Sequence, residues 1–410
     1  MTFALVPILL VNTLILYGLY IFFKNQFATS PLNVYIPIFI LVKIIAGVIY
    51  GLVYTFYYQK GDTFSIFQDS IQFSNLIFID KERWFNALIF NDYDQLAFLT
   101  KQGIFETKFL IKFLSIFNLL TNNNYWLSGA YLSFFNAICS WLLINKLMQI
   151  DLKYKVPALF ALFFWPDLLF WSSGLNKEAL AMGLFFLSIY FALNTKNKIT
   201  ANIIGYLFAL FFLVQLKFYI AFASILIFFG ILLDRFPFHK NYKFGLFLLG
   251  ILLGFLIANT YLSVFYNENI LSFISINQNL FKSNSTGKVL FFKESNDVFN
   301  IPINIILAFI YATTAPLIWQ CSSLFEVISS LTALLTTILL CATVFNMLKS
   351  KTIHHHSFFE LSIIFSSIIL MIVVPISAPI LGSLMRYRIA FTPILIFLCL
   401  TYFNRLKELK

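Results

Sequence analysis

Residues 165–179 have the sequence Trp165-Pro-Asp-Leu-Leu-Phe-Trp-Ser-Ser-Gly-Leu-Asn-Lys-Glu-Ala179, which places polar and charged side chains between two long apolar runs. The runs Val156 to Phe170 and Ala179 to Ala192 are predicted to be consecutive membrane spans, joined by a turn from Ser172 to Glu178. A charged side chain in hydrocarbon costs about 2.5–3.5 kcal/mol on insertion scales, so such groups usually face a cavity or a ligand. We therefore expect the turn to form one wall of a binding site, with three candidate substrate-binding residues, Asn176, Lys177 and Glu178.

The composition excludes a soluble globular protein. Of 410 residues, 60% are hydrophobic and only 11% are charged, whereas about 25% charged is usual in soluble domains. The formal charge of +11 comes mostly from lysines at loop ends, which favours contact with anionic membrane lipids and not with nucleic acid. The sequence thus predicts an all-α polytopic protein, with residues 1–410 forming a single integral membrane domain.

Apolar runs long enough to cross the bilayer predict about 11 transmembrane helices. They lie near residues 3–23, 33–57, 125–145, 156–171, 179–193, 201–216, 219–233, 244–262, 323–348, 358–378 and 389–403. Short basic connections such as 146–155 and 349–356 are expected in the cytoplasm. The first extracytoplasmic loop is then 59–124, with amphipathic interfacial helices, and the second is 263–300. Residues 301–319 are expected to be re-entrant or interfacial.

The first long loop begins with Gly61-Asp62-Thr63, directly after the second predicted span. Asp62 suits two roles: its carboxylate can cap the following helix, or act as a general base at the membrane surface. Asp69 lies seven positions later, so both carboxylates would share one helix face. The D-x-D pair Asp92 and Asp94 suits either a solvated turn or a divalent metal ion, which is the one cofactor that the sequence leaves open.

Two further clusters of bases are predicted on the same side of the membrane. Arg386-Tyr387-Arg388 stands out because most bases in this chain are lysines, and guanidinium groups bind phosphate oxygens in a forked geometry. Lys217-Phe-Tyr219 lies between two closely spaced spans. Interfacial anchoring explains both clusters as well, but together with Lys177 they would cradle one or two phosphates if these segments converge.

This ordered set of motifs resembles the GT-C-type bacterial membrane glycosyltransferases, which include relatives of the protein mannosyltransferases and the aminoarabinose transferases of lipid A. The resemblance rests on Gly61-Asp62-Thr63, Phe170-Trp-Ser-Ser-Gly-Leu-Asn-Lys-Glu178, Lys217-Phe-Tyr219 and Arg386-Tyr-Arg388. It implies a multi-pass protein of the bacterial inner membrane. Such a protein transfers a sugar from a polyprenyl-phosphate donor to a lipid- or protein-linked acceptor outside the cytoplasm, at an active site facing the periplasm or exterior. By position, Asp62 matches the catalytic acid of the family's first outer loop, and Asp69 or the pair Asp92 and Asp94 would supply a second acid.

The chemistry of such a transfer agrees with the residue types. Fixed cations would stabilise the phosphate as the glycosidic bond breaks, which favours Lys217, Arg386 and Arg388. Asp62 would take the acceptor's proton, and one in-line displacement would invert the anomeric centre. The residues alone leave two alternatives open: a polysaccharide polymerase or O-antigen ligase, and a lipid-linked oligosaccharide flippase or other transporter.

Overall fold

The computed structural model describes residues 5–28, 30–58, 62–92, 96, 105–195, 199–237, 239–266, 269, 272, 274–276, 278–279, 287–293, 298–350 and 357–408. Within these ranges the regular structure is helical, apart from an isolated antiparallel β-bridge between Val289 and Ile380. The all-α class is therefore confirmed.

Seventeen α-helices are defined in the described ranges. In chain order they are α1 (Leu5–Gln26), α2 (Ile36–Val53), α3 (Asp62–Ile79), α4 (Lys81–Phe90), α5 (Phe105–Thr121), α6 (Tyr125–Ile150), α7 (Lys155–Leu159), α8 (Pro166–Trp171), α9 (Lys177–Asn194), α10 (Ile199–Leu216), α11 (Phe218–Arg235), α12 (Lys240–Tyr266), α13 (Ile301–Thr314), α14 (Leu324–Ser350), α15 (Phe358–Ser377), α16 (Leu381–Tyr387) and α17 (Thr392–Glu408).

Eight of the described helices are long and apolar enough to cross a membrane. A ninth crossing results if the pair Leu381–Ala390 and Thr392–Asn404, bent by 52°, counts as one broken span. The chain is thus a multi-pass membrane protein, while the count of about 11 spans stays a prediction. The segment expected to be re-entrant or interfacial contains α13, whose 14 residues are fewer than a crossing normally needs.

The span predicted at 156–171 is interrupted. The chain forms the short helix α7, a π-helical turn at Phe160–Phe164 and then α8, which begins at Pro166. Trp165 is extended, with φ −62° and ψ 124°, because the residue before a proline is disfavoured in the helical conformation. This break separates Asp167 from the preceding apolar run.

The chain divides into two compact units. Unit 1 comprises Met1–Asn145, Leu169–Leu187 and Leu207–Phe218, and unit 2 comprises Lys146–Leu168, Ser188–Tyr206 and Tyr219–Lys410. Each unit is therefore built from segments that are distant in sequence.

Unit 1 contains the helices of the first long loop. Helices α3 and α5 are joined by a buried hydrogen bond from Asn118 Nδ2 to Ser70 Oγ of 2.8 Å. The buried Lys112 on α5 donates to Asn91 Oδ1 at 2.7 Å, just beyond the end of α4. Burial, together with the nearby positive charge of Lys108, lowers the pKa of Lys112 to about 8. These contacts hold α3, α4 and α5 as one helical layer.

Unit 2 packs its spans around α15. The Asp234 carboxylate at the end of α11 accepts hydrogen bonds from Phe358 N and Phe359 N, at 2.7 and 2.8 Å, and so caps the first turn of α15. Further along α15, the buried Glu360 accepts a hydrogen bond of 3.1 Å from Tyr154 Oη. These polar contacts fix the position of α15 relative to the end of α11 and to Tyr154.

Candidate functional site

The candidate site residues fall in both units. Unit 1 contains Asp62, Asp69, Asp92, Asn176, Lys177, Glu178 and Lys217, and unit 2 contains Tyr219, Arg386 and Arg388. Asp94 lies outside the described residues. The convergence of both sets on one cavity therefore stays a prediction.

The turn from Ser172 to Glu178 lies against α2 in unit 1, and glycines make that approach close. Gly174 has a φ of +79°, a left-handed conformation that L side chains rarely adopt. A Cβ placed on Gly174 would lie 3.0 Å from the carbonyl oxygen of Gly47 on α2. Its N–H donates to Ser133 Oγ on α6 at 2.8 Å. The backbone of the turn therefore packs closely against α2 and is hydrogen-bonded to α6.

Asn176 has a structural role at the end of this turn. Its Oδ1 accepts from Ala179 N at 2.6 Å, and its Nδ2 donates to the carbonyl of Ser173 at 2.8 Å. The first contact is the standard N-cap of a helix, here α9. Both polar atoms of the amide are therefore engaged in shaping the turn.

Two buried lysines of unit 1 contact the turn or belong to it. Lys177 lies in the first turn of α9 and donates to Thr107 Oγ1 of α5 at 3.2 Å, while its neighbour Glu178 is also buried. Lys217 is the other lysine of unit 1 among the predicted site residues, and it is 3% exposed. A further cation is Lys43 of α2, which is 0% exposed and donates to Ser172 Oγ at 2.5 Å.

Lys43 was not among the residues predicted from the sequence. It lies in the middle of a strongly apolar helix and belongs to no recognisable motif. The signal that would have found it is its own isolation, because it is the lone charged residue of the α2 sequence and an ionisable side chain inside a span usually has a functional or structural partner.

The first long loop meets the same turn through Thr63. Its buried hydroxyl donates to the Leu175 carbonyl at 2.5 Å and lies 3.0 Å from Tyr125 Oη on α6. Asp62, one residue earlier, begins α3 with an exposed side chain, and Asp69 is half-buried about two turns further along the helix. The hydrogen bond thus anchors the first turn of α3, where the candidate base lies, on the polar turn before α9.

Arg388 occupies a different environment in unit 2. Only 1% of it is exposed, and its guanidinium donates to the main-chain carbonyls of Ser329 and Ala315. It also interacts electrostatically with the buried carboxylate of Asp167, which accepts a hydrogen bond of 2.6 Å from Thr332 Oγ1. Within the described part of the chain, Arg388 Nε is buried without a hydrogen-bond partner.

Arg386 is more accessible than Arg388. Its side chain is half-buried, lies over the Tyr387 ring at 5.0 Å and donates to Tyr387 Oη at 3.0 Å. Both arginines were predicted to bind phosphate, but they differ in burial and in contacts. The acidic neighbour of Arg388, Asp167, lies in a segment that was predicted to be a continuous span.

The described residues contain no group of three or more His, Cys, Asp or Glu side chains arranged to hold a metal ion. Asp92 is exposed after α4. A metal site that includes Asp94 lies beyond what the described ranges test.

Comparison with known proteins adds no assignment: the chain matches no family model, no curated protein and no solved structure.

Proposed function

We propose that this protein is a glycosyltransferase that moves a sugar from a polyprenyl-phosphate donor to a lipid- or protein-linked acceptor on the extracytoplasmic face of the membrane. The observation that supports it most is the 2.5 Å hydrogen bond from Thr63 Oγ1 to the Leu175 carbonyl. It brings the start of α3, with its exposed Asp62, to a turn flanked by the buried amines of Lys43 and Lys177. A carboxylate and cations near one turn are the groups that this transfer requires.

In this proposal Asp62 is the general base. The acceptor oxygen or nitrogen attacks the anomeric carbon of the donor, and the bond from that carbon to the phosphate oxygen breaks with its electron pair leaving on the phosphate. The acceptor's proton passes to the Asp62 carboxylate. A single displacement inverts the anomeric centre, and general-base assistance of this kind contributes about 10²–10⁴-fold to rate.

In unit 1, we propose that Lys177 and Lys217 stabilise the negative charge that grows on the leaving phosphate. Fixed cations are the groups that best stabilise charge developing in the transition state. Lys177 donates to the Thr107 hydroxyl at 3.2 Å. A phosphate oxygen is a stronger acceptor for an ammonium group than a hydroxyl. Asp69 and Glu178 are proposed to contact the sugar or acceptor, while the roles of Tyr219, Arg386 and Arg388 of unit 2 stay predictions from the sequence.

The test is reconstitution of the purified protein in proteoliposomes with radiolabelled polyprenyl-phosphate sugars and an acceptor-lipid extract. We expect transfer of label to the acceptor, with inverted anomeric configuration in the product. Label that crosses the bilayer without any new glycosidic bond would contradict the proposal and favour a flippase. Polymer formation from polyprenyl-diphosphate oligosaccharides, without transfer from the monophosphate donors, would favour a polymerase or ligase.

A further inference from the structure

Unit 2 contains an apolar cavity that the proposed reaction does not use. Its volume is about 280 Å³, and its wall includes Phe309 of α13, Leu340 and Met347 of α14, Ile368 of α15 and Leu398 of α17. An engineered apolar cavity of about 150 Å³ holds one benzene molecule, so by proportion this cavity has room for roughly ten carbon atoms. All of these residues belong to unit 2.

The polar groups in the wall are already engaged. Thr343 Oγ1 donates to the Leu339 carbonyl and Thr401 Oγ1 to the Phe397 carbonyl of its own helix, both at 2.7 Å. The buried Glu360 accepts from Tyr154 Oη. The space between these groups is therefore suited to a hydrocarbon ligand, since an apolar cavity does not hold water well.

The cavity opens at an exposed apolar surface of α14 and α15. Ile368 is 39% exposed and Val344, another wall residue, is 47% exposed. Both lie on helices that are apolar and long enough to cross the bilayer. A hydrocarbon chain can thus enter sideways from the bilayer without passing through water.

Exposed lysines lie at the same end of unit 2 as the cavity. Lys349 is two residues beyond the wall residue Met347 on α14, and Lys153 and Lys155 flank Tyr154, which contacts Glu360 of the wall. Asn404 Nδ2 also donates to the Lys153 carbonyl at 3.2 Å, which brings this basic segment to the end of α17. Basic residues beside a pocket between membrane helices are typical of sites for anionic lipid headgroups.

We propose that this cavity binds one acyl chain of an anionic phospholipid, such as phosphatidylglycerol, whose phosphate lies near Lys155 and Lys349. The apolar wall takes the chain, and the lysines select the negative headgroup over a zwitterionic one. The site is independent of the proposed sugar transfer, because none of its residues belongs to the candidate catalytic set.

The proposal is tested by native mass spectrometry of the delipidated full-length protein, titrated separately with dioleoyl phosphatidylglycerol, dioleoyl phosphatidylcholine and polyprenyl phosphate. We expect one phosphatidylglycerol molecule to bind before any further lipid. Substituting both lysines, K155Q with K349Q, should weaken this first site about thirtyfold, since each basic residue near a lipid surface contributes about 1 kcal/mol. The double variant K24Q with K81Q removes two exposed lysines of unit 1 and should leave the affinity unchanged.

A second variant tests the chain separately from the headgroup. Ile368→Trp places a larger apolar side chain in the cavity at a partly exposed position, so the fold should persist, as checked by its melting temperature without lipid. We expect it to abolish the tight first site while weaker binding remains. Equal affinities for phosphatidylglycerol and phosphatidylcholine would overturn the proposal. Wild-type affinity in K155Q with K349Q, or in Ile368→Trp, would also overturn it. Preferential binding of polyprenyl phosphate at this site would also overturn it.

Discussion

The Ser172–Glu178 turn in unit 1 and the segment around Arg388 in unit 2 both hold buried cations, but they hold them differently. Near the turn, Lys43 and Lys177 donate to the hydroxyls of Ser172 and Thr107. Arg388 instead donates to two main-chain carbonyls and lies in the field of the Asp167 carboxylate. A hydroxyl rotates easily and accepts weakly, whereas a carbonyl and a carboxylate fix a guanidinium in place.

This difference indicates how the two regions contribute. The hydroxyl contacts of the lysines near the turn are ones that an incoming phosphate can replace at small cost. Arg388 has contacts that a ligand would have to break, apart from its Nε, so its largest contribution is to stability. Substitutions in the two regions should therefore differ most in their effect on the free energy of unfolding.

The largest effect is expected for Arg388→Met. The substitution removes two charge-assisted hydrogen bonds to the Ser329 and Ala315 carbonyls, each worth about 1.5–3 kcal/mol, or about 3–6 kcal/mol together, and it removes the cation that acts on the buried Asp167 carboxylate. We expect the free energy of unfolding, measured by denaturant titration in detergent micelles, to fall by this amount. Adding Asp167→Asn should recover part of the loss. Strictly additive losses in this double-mutant cycle would mean that the two side chains do not compensate each other.

A smaller loss of stability, about 2 kcal/mol, is expected for Gly174→Ala. An alanine at φ +79° is strained, and its Cβ would press on the Gly47 carbonyl. Gly18→Ala is the matched control, since a Cβ there meets nothing within 4 Å. Equal melting temperatures for the two variants would show that the turn does not need its left-handed residue.

Thr63→Val tests the link between α3 and the turn. The substitution keeps the shape of the side chain but removes the hydrogen bond to Leu175, which costs about 1 kcal/mol of stability. We expect kcat for sugar transfer to fall while donor affinity is retained, because Asp62 is no longer held at the turn. Thr55→Val is the control, since the Thr55 hydroxyl bonds only within its own helical segment in the contacts described. Unchanged kcat in Thr63→Val would show that the hydrogen bond between α3 and the turn is not needed for sugar transfer.

A pH-dependent effect extends the comparison to a buried lysine in the first long loop. The folded state lowers the pKa of Lys112 to about 8 from its ordinary value of 10.5. Between these pH values the unfolded chain binds more protons, so the free energy of unfolding should rise as pH increases from about 8 to 10.5. Lys112→Met should remove this rise, as measured by melting temperature against pH, and Lys81→Met should retain it. The same slope in the wild type and both variants would contradict the assignment to Lys112.

Much of the fold could be predicted from the sequence, because a run of apolar residues has few stable structures other than a span. The helices at α1, α2, α6 and α14 follow their predicted ranges closely. Pro166 marks the break in the sequence, but the predicted span at 156–171 followed the apolar run alone. Local backbone preference therefore changed the structure where hydropathy alone indicated one continuous helix.

The candidate site was less predictable, because its contacts join distant segments. Asn176 followed by Lys-Glu-Ala carries the usual N-cap pattern, and its amide caps α9, while its role in substrate binding stays a prediction. Lys43 and Asp167 were overlooked because each lies in or beside an apolar run, and their partners Ser172 and Thr332 are 129 and 165 residues away. Only the tertiary structure shows which polar groups are satisfied by other parts of the chain.

The role of Asp62 as the base is tested most directly by comparing Asp62→Asn with Asp80→Asn in the proteoliposome transfer assay. Both residues have exposed side chains in the first long loop, and asparagine can replace Asp80 as the cap of α4. We predict that Asp62→Asn folds and binds donor lipid but loses about 10²–10⁴-fold in turnover, whereas Asp80→Asn transfers sugar at the wild-type rate. Wild-type turnover by a folded Asp62→Asn protein would contradict the proposed mechanism.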